Sequence, residues 1–291
     1  MTLHVTVLPG DGIGREVIPR ALEELPSDVE ITEIPASAER YLDGGVVLTD
    51  VEIDTIRSSD ALLFGAVGDP RVPDGVLERG VILRLRKELD LYANVRPFPE
   101  LDLVIVRENT QGAYSGVGVN SQGSALEVSV NTADAIERCA EYAFSLAETR
   151  RGHVTLVHKT NVMVHAGALW REVTSSVAAR HPDAELAYAH ADAAAYHLVR
   201  DHGRFDVILT DNLFGDLLAD VAAGVGDGLG AAASANLHPN RSTRPGRCVG
   251  MFEPVHGSAP DIAGTGTADP RAAIAAARMM LVELDLATVA S

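Results

Sequence analysis

Two aspartates four residues apart, Asp216 and Asp220, lie in the run TDNLFGDLLAD. Leu213, Phe214, Leu217, Leu218 and Val221 around them read as a helix with an apolar face. The spacing therefore puts both carboxylates on one side, about one turn apart. Like charges so placed repel unless a cation lies between them. An oxygen-only pair suits a hard ion such as Mg2+ or Mn2+, which completes its shell with water or substrate oxygens. A bare D-x-x-x-D in an acidic protein is more often a solvated face. Here the pair follows an apolar run at residues 205–210, and Gly215 precedes the first aspartate. Such strand–helix junctions are where α/β proteins place their sites.

Three arginines follow at close intervals, Arg86 and Arg96 in LRLRKELDLYANVRP and Arg107 in VIVRENTQGAYSG. Guanidinium forks bind carboxylates through paired hydrogen bonds. Arg107 follows an apolar run, where an unpartnered charge is costly. Salt bridges explain any one of them equally well, but three beside an acidic metal pair suggest a substrate with two or more carboxylates. The chain has only two lysines, Lys87 and Lys159. Lys159 ends another apolar run, in VHKTN, and nearby positive charge would bring its pKa down from about 10.4 into a catalytic range. Tyr114 offers a phenol that can give up a proton. Asp192 starts a helix after a strand, and on spacing alone it reads as an N-cap.

Glycines crowd the turn PGDGIG before a first helix, but Arg15 stands where G-x-G-x-x-G needs its last glycine, so the dinucleotide fingerprint is not met. Residues 252–264, FEPVHGSAPDIAG, pack unusual residues into irregular sequence, as binding loops do.

These groups need a scaffold. Apolar runs at 5–8, 29–34, 61–66, 103–106, 154–158, 185–190 and 207–210 predict strands. Helical patterns cover 15–24, 77–89, 133–148, 167–180, 193–201, 213–225 and 271–284. The alternation indicates an α/β fold with a largely parallel sheet. Residues 115–131 look like an exposed β-ribbon or arm, and 224–258 like loops around a binding site. A length of 291 residues suggests two domains. A net charge of −17 argues against nucleic acid or an anionic membrane as partner. The few lysines and many acidic residues would suit high salt, although a GC-rich genome biases composition the same way. No apolar run approaches a membrane span, and MTLHVTVLPGDGIG reads as a first strand, which makes the cytoplasm the expected location. Cys139 and Cys248 are isolated and expected to be reduced thiols.

Taken together, PGDGIG, LRKELDLYANVRP, VRENTQGAYSG, HKTNVM, DNLFGDLLAD and EPVHGSAPDIAG, in this order, resemble the β-decarboxylating dehydrogenases. That family acts on 3-isopropylmalate, isocitrate, homoisocitrate and tartrate or malate. The resemblance implies an isopropylmalate/isocitrate dehydrogenase-like two-domain fold, not a Rossmann fold. A cofactor-binding domain would comprise 1–90 plus 228–291, and a central substrate, metal and dimerisation domain 91–227. It also implies roles. Arg86, Arg96 and Arg107 would clamp the substrate carboxylates. Asp216 and Asp220 would ligate Mg2+ or Mn2+, with Asp192 contributed by the other subunit of a homodimer or tetramer. Tyr114 would protonate the enol carbon, and Lys159 would help deprotonate the hydroxyl. Asn161 would lie near the nicotinamide. Ile13 and His256, Gly257, Ser258, Ala259, Pro260, Asp261 and Ile262 would hold the cofactor, with Asp269 where an asparagine usually faces the adenine.

Asp261 can accept from ribose hydroxyls and would repel a 2′-phosphate, so NAD is the expected cofactor. Ile82 and Leu83 lie one turn before Arg86. An apolar patch beside a carboxylate clamp favours an isopropyl substituent, hence 3-isopropylmalate, a 2-hydroxy dicarboxylate. Arg79 and Arg84 complicate this, since either is a candidate to reach an extra carboxylate, and RENTQGAYSG looks more like isocitrate and homoisocitrate members. A silent regulatory subunit is less consistent with a chain that keeps every acid–base and metal residue.

Overall fold

A computed structural model describes residues 3–239 and 248–286. The chain forms two compact units, Met1–Leu91 with Asp227–Ser291, and Tyr92–Gly226.

The first unit opens with β1 (His4–Gly10) and α1 (Gly14–Leu22), which buries Val17, Ile18 and Ala21. Next come β2 (Glu30–Glu33), α2 (Ala38–Gly44) and α3 (Asp50–Ser58), whose start is fixed by a capping box between Thr49 and Glu52. All six residues of β3 (Ala61–Ala66) are buried, as expected of a strand covered on both faces. The helix expected over 77–89 is two short ones, α4 (Val76–Gly80) and α5 (Ile82–Glu88). Val81 breaks it, at φ −121° and ψ −77°, and is itself fully buried. Gly80 is a weak helix former, and burial of the β-branched Val81 sets its backbone instead. Ile82, Leu83 and Arg86 remain together on α5, so their one-turn spacing survives.

The second unit is one continuous segment. It contains β4 (Ala93–Phe98), β5 (Leu103–Glu108), a 3-10 turn at Ala113–Ser115, β6 (Gly118–Ser121) and β7 (Ser124–Glu127). After these come α6 (Ala133–Glu148), β8 (His153–His158), α7 (Val164–Ala178), β9 (Glu185–His190), α8 (Ala191–Arg200), β10 (Val207–Thr210) and α9 (Asn212–Val225). Its sheet runs β4-β5-β10-β8-β9, and every pair but β4–β5 is parallel. The arm expected within 115–131 is the exposed hairpin β6–β7. Its two turn residues, Gln122 and Gly123, both have positive φ, as a tight hairpin turn requires.

The chain then completes the first unit with β11 (Ala233–Leu237), β12 (Gly250–Pro254) and α10 (Arg271–Glu283). That sheet runs β2-β1-β3-β12-β11, parallel except for β11–β12. Residues 224–258, expected to be loops, thus contain two buried strands; 240–247 lie outside the described residues. Small side chains on α10 (Ala272, Ala273, Ala276 and Ala277) are fully buried, which lets the helix come close to the sheet. The mostly parallel α/β architecture is the one the alternating pattern implies. Among the described residues no helix is long and apolar enough to cross a membrane.

Candidate active site

The densest cluster of candidate residues lies in the second unit, where β4, β5 and α9 meet. Antiparallel pairing sets Asn94 opposite Arg107, and the two-residue period of a strand puts Arg96 on the same face as Asn94. Arg107 is only 1% exposed and is fully engaged. Its Nε and Nη2 donate to Asn212 Oδ1 at 2.9 and 2.6 Å, and Nη1 donates to Asp216 Oδ1. Arg96 donates through Nε to Asn94 Oδ1 at 2.8 Å and through Nη2 to Asp216 Oδ1 at 3.2 Å. Tyr114 Oη donates to Asp216 Oδ2 at 2.7 Å, and the Arg107 guanidinium lies 5.1 Å from the Tyr114 ring centre. Gly215 makes this possible. A Cβ there would meet Cγ, Cβ and Cδ of Arg107 at 2.6, 2.7 and 3.0 Å, so only glycine lets the arginine lie against the helix.

Asp211 caps α9 by accepting from Phe214 N at 2.9 Å, and the helix then presents Asp216 and Asp220 one turn apart. Burial chiefly, and then the Asp216 charge, raise the Asp220 carboxyl above its usual value, against the pull of Arg96 and Arg107. A raised carboxyl beside a second carboxylate is what a divalent cation relieves. The donor set is oxygen only, which fits Mg2+ or Mn2+. Among the described residues no three His, Cys, Asp or Glu side chains group closely enough to hold a metal, so Asp216 and Asp220 stand as a pair.

Asp192 is elsewhere. It is the second residue of α8, and His190 occupies the N-cap position, which corrects the N-cap reading of Asp192. Its Oδ1 accepts from Lys159 Nζ at 2.6 Å, and this contact leads in pulling its carboxyl below the usual range. Asn161 follows in an exposed turn.

Arg86 belongs to the first unit. It is buried, with Nη2 at 3.2 Å from Glu253 Oε1 on β12, and the same oxygen accepts from Asn236 Nδ2 at 2.8 Å. Ile82 packs against the core of this unit, and Leu83 is half-buried. Arg84 is taken up by Glu88 at 2.8 Å, by Asp50 and by the Leu48 carbonyl at 2.8 Å.

The expected cofactor loop packs on PGDGIG. Ile13 N donates to Ser258 O at 2.9 Å, and a Cβ on Gly12 would collide with that carbonyl at 2.0 Å. Ala259 has a positive φ of 41°, which shapes the loop, and His256 Nδ1 lies 2.9 Å from Gly257 O. Gly257, Pro260 and Asp261 are exposed and Ile262 half-buried. Asp261 has no hydrogen-bond partner among the described residues, so its carboxylate is free to accept one. Asp269 is committed to Arg271, accepting from its backbone N at 3.0 Å and Nε at 2.8 Å, and that contact chiefly lowers its carboxyl.

Sequence reasoning assigned nothing to the residues that hold these groups. Asn94 and Asn212 orient Arg96 and Arg107, and Glu253 holds Arg86. Glu108 accepts from Thr110 N and Oγ1 and from Gln111 N, at 2.9, 2.6 and 2.8 Å, and so shapes the turn that leads to Tyr114. The only signal was that Asn94, Glu108, Asn212 and Glu253 sit inside the quoted motifs.

An α/β scaffold that gathers paired arginines, a tyrosine and two helix-borne aspartates is equipped to bind a polycarboxylate beside a cation. Over residues 4–291 the chain matches the model of the isocitrate/isopropylmalate dehydrogenase family, and it belongs to that family. It is 48% identical over 303 residues to the 3-isopropylmalate dehydrogenase of Rhodococcus opacus (strain B4), covering 97% of this chain and 89% of that protein. The same identity and coverage hold for the enzyme of that name from Nocardia farcinica (strain IFM 10152). Its fold is similar to the crystal structure of isocitrate dehydrogenase from Methylococcus capsulatus. There the TM-score is 0.86 at 36% identity, over 98% of this chain and 86% of that one.

Proposed function

We propose that this chain is an NAD- and divalent-metal-dependent dehydrogenase. It would convert 3-isopropylmalate to 4-methyl-2-oxopentanoate and CO2, a step of leucine biosynthesis in the cytoplasm. The observation that carries the substrate choice is on α5. Ile82 and Leu83 stand one turn before Arg86, while Arg84, one of the two arginines that could read an extra carboxylate, is held by Glu88 and Asp50, and the other, Arg79, is exposed and donates to the Asp74 carbonyl at 3.4 Å. An apolar substituent is then preferred over a charged one by about 1–3 kcal/mol. The relatives at 48% identity carry the name of the same activity.

The residues divide the work as follows. Arg96 and Arg107 bind the substrate carboxylates, already oriented by Asn94 and Asn212, and Arg86, in the first unit, keeps the carboxylate-binding role that the family resemblance implies. Lys159, held to Asp192 at 2.6 Å and so brought with it by the second copy, takes up the hydroxyl proton through a relay as hydride leaves the carbon that bears that hydroxyl. Tyr114 returns a proton to carbon after CO2 departs. Asp216 and Asp220 would hold Mg2+ or Mn2+, which would supply Lewis-acid stabilisation of developing negative charge on the substrate oxygen. Asp261 would accept from the ribose hydroxyls of NAD, the hydride acceptor, with Ile13 and residues 256–262 beside it, Asn161 toward the nicotinamide and Asp269 toward the adenine. Two ligands from one chain leave room for Asp192 of a second copy, so a homodimer with shared sites is the working form.

Nicotinamide reduction with Mn2+ on 3-isopropylmalate, isocitrate, homoisocitrate, D-malate and tartrate tests this. The expected result is the highest kcat/KM on 3-isopropylmalate, and lower efficiency with NADP than with NAD. Isocitrate is the specific rival, given the fold similarity, and a higher kcat/KM on it would transfer the assignment. No turnover on any of the five, with Mn2+ and NAD still bound, would identify a silent subunit.

A further inference from the structure

We propose that the second unit carries a separate anion site at the outer strand of its sheet, which takes a small multivalent oxyanion, either a phosphorylated or a polycarboxylate molecule. A cavity of about 490 Å³ opens against β8 and β9, between α7 and α8. Its lining includes Arg171, Arg204, His153, His190, His197 and Tyr188, and no acidic residue. Its two charged residues are thus both arginines, in a chain with 41 acidic and 24 basic residues.

The arginines elsewhere in this unit show what is different here. Arg150 pairs with Asp102 and Asp206, and Arg180 with Glu137 and Glu141. Arg171 and Arg204 instead lie over aromatic rings, 4.1 Å from the centre of Tyr188 and 5.9 Å from that of Phe205. Neither has a carboxylate partner among the described residues. A guanidinium stacked by its face keeps its N–H edge available for an oxyanion. Tyr188 is itself fixed, because its Oη donates to His158 O at 2.9 Å and lies 2.9 Å from His190 Nδ1. The Arg171 platform is therefore pre-organised.

The chemistry of the ligand follows from what is present and what is not. The histidines do not group for metal binding among the described residues. Arg171 covers one face of Tyr188 and the His190 ring meets it edge-on, so the phenol ring serves here as a platform for these donors. What remains is two guanidinium forks and imidazole N–H donors around a volume that suits a molecule of diphosphate or tricarboxylate size.

The test uses the full-length protein and two probes, pyrophosphate and citrate, titrated calorimetrically against sodium chloride of matched ionic strength. One saturable site per chain is expected for at least one probe, and the probe that binds distinguishes the phosphoryl from the carboxylate source. In Arg171→Gln/Arg204→Gln, binding should weaken roughly tenfold or more, with Tm in chloride and kcat unchanged. His197→Gln, a second and milder variant, should weaken it less. Unaltered affinity in the double variant would assign the binding to the carboxylate-clamp arginines instead, and absence of saturable binding of either probe to the wild type would likewise overturn the proposal.

Discussion

Tyr114 donates its phenolic proton to Asp216 at 2.7 Å, so the proposed proton donor and a proposed metal ligand share one hydrogen bond. The proton is thus held at the carboxylate that a cation would neutralise. Tyr114→Phe removes the donor and leaves the arginine cluster intact. Its kcat with 3-isopropylmalate should fall by about 10²–10⁴-fold with little change in KM. A change in KM alone would reassign Tyr114 to substrate binding.

Asp220 is the carboxyl raised by burial and by its neighbour. Protons therefore compete with metal at this position at higher pH than at an ordinary carboxylate. Mn2+ affinity, followed by electron paramagnetic resonance, should fall as pH drops through that raised pKa. In Asp220→Asn it should be weaker at every pH and flatter with pH. An asparagine variant with wild-type Mn2+ affinity would remove Asp220 from the ligand set.

Gly215→Ala places a methyl group against the stem of Arg107, whose Cβ and Cγ are too close to the helix to swing clear. Overpacking of this kind costs about 1–3 kcal/mol. The arginine must also leave Asn212 and Asp216. A lower Tm together with a raised KM is expected, whereas a loss of Tm with unchanged KM would mean that Arg107 does not meet substrate.

His158 and Asp211 are both buried, with Nε2 and Oδ2 3.7 Å apart. Burial raises Asp211 from 3.8 to about 6, against its bond from Phe214 N and the Arg107 charge, and burial lowers His158 from 6.5 to about 4. The signs oppose. Between pH 3.8 and 6 the folded state holds Asp211's proton more tightly than the unfolded state, so this group removes about 3 kcal/mol of stability as pH rises. Between pH 4 and 6.5 the unfolded state holds the histidine proton more tightly, so His158 adds about 3 kcal/mol as pH rises. The two contributions nearly cancel. Asp211→Asn keeps the cap and removes one of them. Denaturant unfolding of that variant should show stability relative to wild type climbing with pH from 4 to 6, and an unchanged difference across that range would contradict the opposed shifts.

Much of this fold is legible in the sequence because β3, β5 and β10 are built on continuous apolar runs and β8 on a nearly continuous one, as strands covered on both faces are. β4, β11 and β12 are not. ANVRPF carries Arg96 and a proline, and ASANL is made of small, weakly β-forming residues. Their strand state comes from the neighbours that pair with them, and that is non-local information. The same holds at the site. Arg96, Arg107, Tyr114 and Asp216 declare themselves by residue type and spacing. Asn94 matters because it stands opposite Arg107 across a strand pair, and Glu253 because it reaches Arg86 from a strand 167 residues away. The break at Val81 likewise reflects what that residue packs against.

The first unit is assembled from both ends of the chain, and this bears on synthesis at the ribosome. Tyr92–Gly226 is contiguous and can fold as it emerges. β3 cannot be completed until β12, its partner at Met251 and Phe252, has been made. At ordinary elongation rates that interval is roughly 10–40 s. Throughout it the nascent protein carries ALLFGA, a strand buried along its whole length in the folded state, with one edge unpaired, the kind of exposed edge that recruits other chains. The period of greatest aggregation risk for this protein therefore falls in translation, before its last strands leave the exit tunnel.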